Sequence, residues 1–192
     1  LKPKADLINW GTLVSYPGKG YNHSSWLSSN SKYLAMADET HGSKLKLIEF
    51  KWDDIPDVKS TFGSRASEGS IVHNPFIHKK KVYVSYYHEG VVVFDIENPN
   101  KPELIAQFDT YPDNNNFDGY YGCWGVYPFL PSGNIIACDQ LYGLFVFNLA
   151  VGTEDVENEA FSFQVFPNPT TTGSFNIKFS TGLKSEKKIR VY

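Results

Sequence analysis

Two heptapeptides set the pattern of the chain. GVVVFDI at 90–96 and GLFVFNL at 143–149 match position for position, and the match extends backwards without a gap to Phe76-Ile77 and Phe129-Leu130, a shift of 53 residues. A more diverged copy lies upstream. There Trp26-Leu27 opens the unit and LKLIEF at 45–50 stands in place of VVVFDI, about 48–50 residues before the second copy. The run 91–96 is apolar at nearly every position instead of alternating, as expected of a strand covered on both faces. One spacing recurs between the middle segments of each copy: Asp38 to Gly42, Tyr86 to Gly90 and Asp139 to Gly143. A glycine there suits a tight turn that needs positive φ.

Each copy reads as four short strands. In the second they fall at 74–77, 82–87, 91–96 and 104–108, the last reached through Asn98-Pro99-Asn100-Lys101-Pro102, which no strand interior tolerates. The first repeats the plan, with Ile55-Pro56 before 58–62, and the Lys79–Lys81 run reads as a solvated hairpin turn. Four strands per unit, a period of roughly 40–50 residues and buried middle strands predict an all-β chain of β-propeller type; a sandwich needs no such register. Residues 7–16 read as the outer strand of a preceding blade, and the third copy stops after Leu149 without its fourth strand. The expectation is about three and a half four-stranded blades over 1–149, an incomplete ring because at least four are needed to close one, with further blades upstream.

Composition then changes. Residues 150–160 carry four acids and no apolar periodicity, an exposed acidic linker. After it, FSFQVFPNPTTTGSFNIKF at 161–179 and KIRVY at 188–192 read as a strand, a Pro-Asn-Pro break, a glycine turn, an alternating strand and a hairpin: the opening of a small β-sandwich over 161–192.

An aromatic share of 16% strengthens the strand reading. The formal net charge of −3, without a basic stripe, leaves nucleic acid no electrostatic footprint. No apolar run approaches the roughly 18–20 residues that span a bilayer. The opening Leu1-Lys2-Pro3-Lys4 has no apolar secretory stretch, so the reading expects the true N-terminus upstream. Cys123 and Cys138 permit one disulfide without imposing it; two buried thiols are the alternative.

These residues carry two family resemblances. Tyr33-Leu34-Ala35-Met36-Ala37-Asp38, then Gly90-Val91-Val92-Val93-Phe94-Asp95-Ile96 and Pro99/Pro102, resemble LVIVD-type repeats. The stretch 21–149, with His23, Val72-His73-Asn74-Pro75-Phe76 and Gly122-Cys123-Trp124-Gly125-Val126-Tyr127-Pro128-Phe129, resembles the choice-of-anchor B group of secreted bacterial proteins. Tyr86 and Asn148 depart from the Asp of the pattern. The tail, with Pro167, Asn168, Pro169 and Gly173, resembles the type A sorting domain of type IX secretion in Bacteroidota. That resemblance implies the type IX secretion machinery as a partner, passage through the periplasm, and a final place outside the cell or on the outer-membrane surface. The family's last strands would follow Tyr192, which makes the sorting domain truncated.

In a propeller the first strand of each blade lines the channel, and the turn between second and third strands lies at the mouth where the first strand starts. His23 and His73, each three residues before the opening aromatic, thereby join Asp38, Tyr86 and Asp139 as candidate ligand-facing groups for a metal ion or an anion. The third copy places Val126 where the others have His. No zinc spacing, His-x-x-x-His or Cys-x-x-Cys, is present, and such groups more often bond turn amides and lock one blade to the next. Asp113, Asn115 and Asp118 offer oxygen ligands for Ca²⁺, although no Glu closes an EF-hand loop there. Tyr120, Tyr121 and Trp124 suit a sugar- or peptide-stacking surface or a blade interface. No nucleophile elbow, phosphate-cradling loop or close carboxylate pair is visible, and Ser24 and Ser25 beside His23 are not a triad. The leading expectation is a non-enzymatic surface or secreted propeller that binds a glycan, peptide or protein. The alternative is a metal-dependent extracellular hydrolase with its site at the channel mouth around His23, His73 and Asp139.

Overall fold

A computed structural model describes residues 8–9, 11–51, 56–64, 69–112, 116–149, 163–166 and 176–179. Among these there are strands and turns and no helix. The first sheet is a meander of β1 (Asn22–Leu27), β2 (Tyr33–Asp38), β3 (Leu45–Glu49) and β4 (Asp57–Phe62). The second repeats it with β5 (Asn74–His78), β6 (Lys81–Ser85), β7 (Val91–Asp95) and β8 (Glu103–Phe108), and the third has β9 (Cys123–Tyr127), β10 (Ile135–Asp139) and β11 (Gly143–Phe147). All pairings are antiparallel. The chain divides into two compact units, 1–149 and 150–192. In the second, β12 (Phe163–Phe166) pairs antiparallel with β13 (Asn176–Phe179).

The three sheets of the first unit stack, with β5 beside both β1 and β9. One apolar layer joins the first two sheets through Ala35, Ala37, Leu45, Leu47, Val84, Val92 and Phe94, and Phe62 meets Phe94 edge to face at 4.9 Å. A second layer joins the other pair through Tyr83, Val91, Val93, Cys123, Val126, Ile135 and Ala137. Strand β7 therefore gives Val92 and Phe94 to one layer and Val91 and Val93 to the other, which is why its sequence shows no alternation. At the far side of the third sheet alternation returns, and Leu144 and Val146 are exposed.

Turns follow the glycines. Gly42, Gly90 and Gly143 all have positive φ, and a Cβ on Gly90 would stand 2.0 Å from the Phe108 carbonyl oxygen. Lys79 and Lys80 form the exposed turn between β5 and β6. Strand β6 ends at Ser85, short of the expected residue 87, because Tyr87 turns into the left-handed region at φ 40°. The expected outer strand at 7–16 is replaced, at 8–9 and 11–16, by non-strand chain tied through side chains: the Tyr16 hydroxyl donates to Asp38 and Lys19 Nζ to the Val14 carbonyl.

Corresponding turn positions solve the burial of polar groups differently. In the first sheet Asp38 and Lys46 form an ion pair at 2.8 Å, both side chains fully buried. Ser43 accepts from the same ammonium, and the Gly20 amide donates to the carboxylate. In the second sheet Tyr86 and Val92 occupy the equivalent register positions, and both are apolar enough to need no charge partner. Burial pushes the Asp38 carboxyl upward, but hydrogen bonds from Lys46, Gly20 and Tyr16 outweigh it and hold it below the usual carboxylate range. The cysteines are both free: Cys123 is buried, its thiol pushed up to about 12 by burial, and Cys138 is exposed.

Replacing Lys46→Met leaves Asp38 buried and unpaired, so urea unfolding of the variant is expected to show a loss of about 3–5 kcal/mol. In the wild type the folded carboxyl binds its proton more weakly than the unfolded one. Its contribution is complete above the unfolded value of about 3.9 and is lost as pH falls through the lower folded value, so unfolding free energies should drop below about pH 4. Native protein should react with one equivalent of a thiol reagent at neutral pH, at Cys138, and with two in denaturant; two fast equivalents in the native state would contradict the burial of Cys123.

Candidate functional site

At the end of the sheets where β1, β5 and β9 begin, three aromatic rings stand in a row. The His23 and His73 rings stack at 4.6 Å between centroids with planes 22° apart, and Trp124 lies 4.6 Å beyond His73. Register explains the row. Trp26 opposite Ala35, Phe76 opposite Tyr83 and Tyr127 opposite Ile136 are equivalent pairs, which puts Trp124 at the position of His23 and His73. The ungapped match, which placed Phe129 opposite Phe76 and Val126 opposite His73, is thus displaced by two residues in β9. The reason is local: the hairpin from Tyr127 to its partner Ile136 is two residues longer than the one from Phe76 to its partner Tyr83.

His73 is buried, and its Nδ1 is bound. Its Nδ1 lies 2.7 Å from the Trp124 carbonyl oxygen, a contact that requires a proton on Nδ1 and leaves Nε2 with its lone pair. Asn74 Nδ2 and the Ser85 hydroxyl donate to the same carbonyl, each at 3.2 Å, and the Ser24 hydroxyl donates to the His73 carbonyl at 2.5 Å. Burial lowers the His73 pKa below the ordinary imidazole value, and the neighbouring His23 adds to this against the opposing pull of Trp124 and Glu39.

Glu39 completes the group. It follows β2 directly, and its carboxylate lies 3.4 Å from His23 Nδ1 and 3.7 Å from His73 Nε2. The Tyr87 hydroxyl donates to Glu39 Oε1 from the second sheet. Burial and this carboxylate together push the Tyr87 pKa strongly upward, so the phenol stays a donor. A left-handed backbone at a bulky residue is costly. Gly122 accommodates it: its own φ is 106°, a Cβ there would stand 2.3 Å from the Tyr87 carbonyl oxygen, and the following Cys123 amide donates to that oxygen at 2.9 Å.

The rim is aromatic and open. Trp124 and Tyr120 are each 48% exposed, and Tyr120 lies 5.7 Å from Tyr87 and 5.9 Å from His41. Tyr121 is exposed as well and packs toward Gly119 and His88.

Of the residues singled out in the sequence, His23 and His73 meet at this cluster. Asp38 is spent on Lys46, Gly20 and Tyr16. Asp139 accepts from the Thr110 hydroxyl and from the Leu141 and Tyr142 amides, a turn-locking role. Tyr86 is buried in the apolar layer, its phenol pushed up to about 12 by burial. Asp118 is exposed, while Asp113, Asn115, Pro167, Asn168, Pro169 and Gly173 lie outside the described residues. Sequence reasoning missed Glu39 and Tyr87 because it stopped one residue earlier, at Asp38 and Tyr86. The signal was the position that follows Asp38, Tyr86 and Asp139, polar or aromatic in all three copies: Glu39, Tyr87 and Gln140.

No protein-family model matches the chain, and no curated protein matches it.

Ring-selective ¹⁵N NMR should find His73 as the Nδ1–H tautomer, titrating below about 6.5. An Nε2–H signal would contradict the hydrogen bond to Trp124, and a midpoint at or above that value would contradict the burial that lowers it.

Proposed function

We propose that the chain is the blade section of a secreted or surface-displayed β-propeller that binds an extracellular glycan at the end of the sheets where β1, β5 and β9 begin. The observation that carries this reading is the setting of open aromatic rings, Trp124 and Tyr120, around the polar group of His23, Glu39, His73 and Tyr87. Sugars are held by such pairings: flat apolar sugar faces stack on rings while hydroxyls bond carboxylate and imidazole.

Three stacked meanders with their first strands adjacent fit successive propeller blades. The exposed Leu144 and Val146 fit a third blade that awaits another neighbour. The β12–β13 pair fits the opening of a type A sorting domain, which would recruit the type IX machinery and deliver the propeller to the cell surface or beyond. A binding module is favoured over a hydrolase that uses Asp139, whose carboxylate is already engaged by Thr110, Leu141 and Tyr142.

Screening the chain against a panel of oligosaccharides, read by tryptophan fluorescence, should identify a ligand whose affinity falls at least about tenfold in Trp124→Ala, the cost of one lost stacking ring. Binding of peptides alone, or glycan binding unaffected by Trp124→Ala and Tyr120→Ala, would refute the assignment.

A further inference from the structure

We propose that His23, Glu39 and His73 form a binding site for a divalent transition metal of the zinc class, with a further coordination position open to solvent. The three donor atoms all lie within 4.8 Å of one another. In a tetrahedral zinc site with bonds of about 2.0–2.1 Å, neighbouring donors stand about 3.3 Å apart. The separations of 3.4 Å from His23 Nδ1 to Glu39 Oε2 and 3.7 Å from His73 Nε2 to Glu39 Oε1 are close to that spacing.

Two of the three donors are already oriented. The Trp124 carbonyl takes the Nδ1 proton of His73 and so directs the Nε2 lone pair toward Glu39. The Tyr87 hydroxyl fixes the Glu39 carboxylate from the other sheet. Carbonyl-to-imidazole and hydroxyl-to-carboxylate bonds of this kind are the usual supports of metal ligands, because they set tautomer and aim. Ligands and supports together come from three different sheets, so the site exists only where the sheets meet.

The third donor must move. Imidazole lone pairs lie in the ring plane, and the stacked planes of His23 and His73 do not converge on one point. His73 is locked, whereas the His23 side chain is 30% exposed and free to turn out of the stack toward Glu39. Capture of the ion therefore unstacks His23 and replaces ring contact with coordination. The donor set selects the metal: two imidazoles and one carboxylate suit zinc and its neighbours, whereas Ca²⁺ requires six to eight oxygens. Solvent reaches the cluster from the His23 side and supplies the remaining ligand.

The ligands are the imidazoles and the carboxylate that the glycan reading assigns to sugar hydroxyls, and they need neither the Trp124 nor the Tyr120 ring, so the site is tested with the metal alone. The purified chain, stripped with chelator, is titrated with Zn²⁺ by calorimetry and with Co²⁺ by visible absorption. One equivalent of Zn²⁺ should bind, and Co²⁺ should give the strong ligand-field bands of a low-coordinate nitrogen and oxygen site. Glu39→Gln and His23→Ala should each weaken binding at least about 100-fold, while His41→Ala should leave it unchanged. His23 is exposed, so its removal leaves the fold intact, which circular dichroism checks. Absence of Zn²⁺ binding to the wild type, or binding of equal strength in Glu39→Gln and His23→Ala, would overturn the site whether or not a glycan binds.

Discussion

The first unit depends on the two-sided burial of its middle sheet. Val91 and Val93 face one neighbour and Val92 and Phe94 the other, and each fully buried apolar side chain of this size contributes about 1.5–3 kcal/mol. Because both layers are dry and close-packed, the separation of the sheets is fixed by side-chain volume. The starts of β1, β5 and β9 are then held at a spacing that brings His23, His73 and Trp124 to 4.6 Å steps. The candidate site is a consequence of that stacking, with no long loop required to build it.

Dry layers make every polar group near a turn a problem to be solved. The first sheet accepts a buried ion pair, Asp38 with Lys46, and surrounds it with Tyr16, Gly20 and Ser43. At the same register the second sheet dispenses with charge and uses Tyr86 and Val92. The third keeps Asp139 but satisfies it with the Thr110 hydroxyl and two turn amides. A carboxylate at this position is a structural device whose partner changes from sheet to sheet, which explains why Asp38 and Asp139 do not reach the cluster one residue further on.

The sequence made the strands legible because their signals are local. Apolar runs, Pro-rich connections and glycines at positive φ mark β7, the approach to β8 and the turns before β3, β7 and β11 without reference to partners. Cross-sheet facts were not local, and there the reading was incomplete. The ungapped match could not register the longer turn between β9 and β10, so Trp124 was named as a stacking aromatic while its equivalence to His23 and His73 was hidden behind Val126. Glu39 carries no motif. Its role arises only when the His23 side of one sheet and the His73 and Tyr87 side of the next close on it.

The polar group itself is too expensive to be an accident of packing. Two imidazoles face one carboxylate across a sheet junction, and Tyr87 holds a left-handed backbone while its hydroxyl meets that carboxylate. An apolar residue in place of Glu39 would leave the Tyr87 backbone held by its bonds to Gly90 and Cys123, and one in place of His73 would leave the Trp124 carbonyl to Asn74 and Ser85, which already donate to it. Stability alone does not ask for such an arrangement, since the third sheet manages the equivalent position with an exposed Gln140. What the arrangement does provide is two imidazoles and a carboxylate whose donor atoms lie within 4.8 Å of one another, with the most exposed member, His23, on the open side. Strain held at the edge of a rigid stack is a cost that the stacking of the sheets does not itself require.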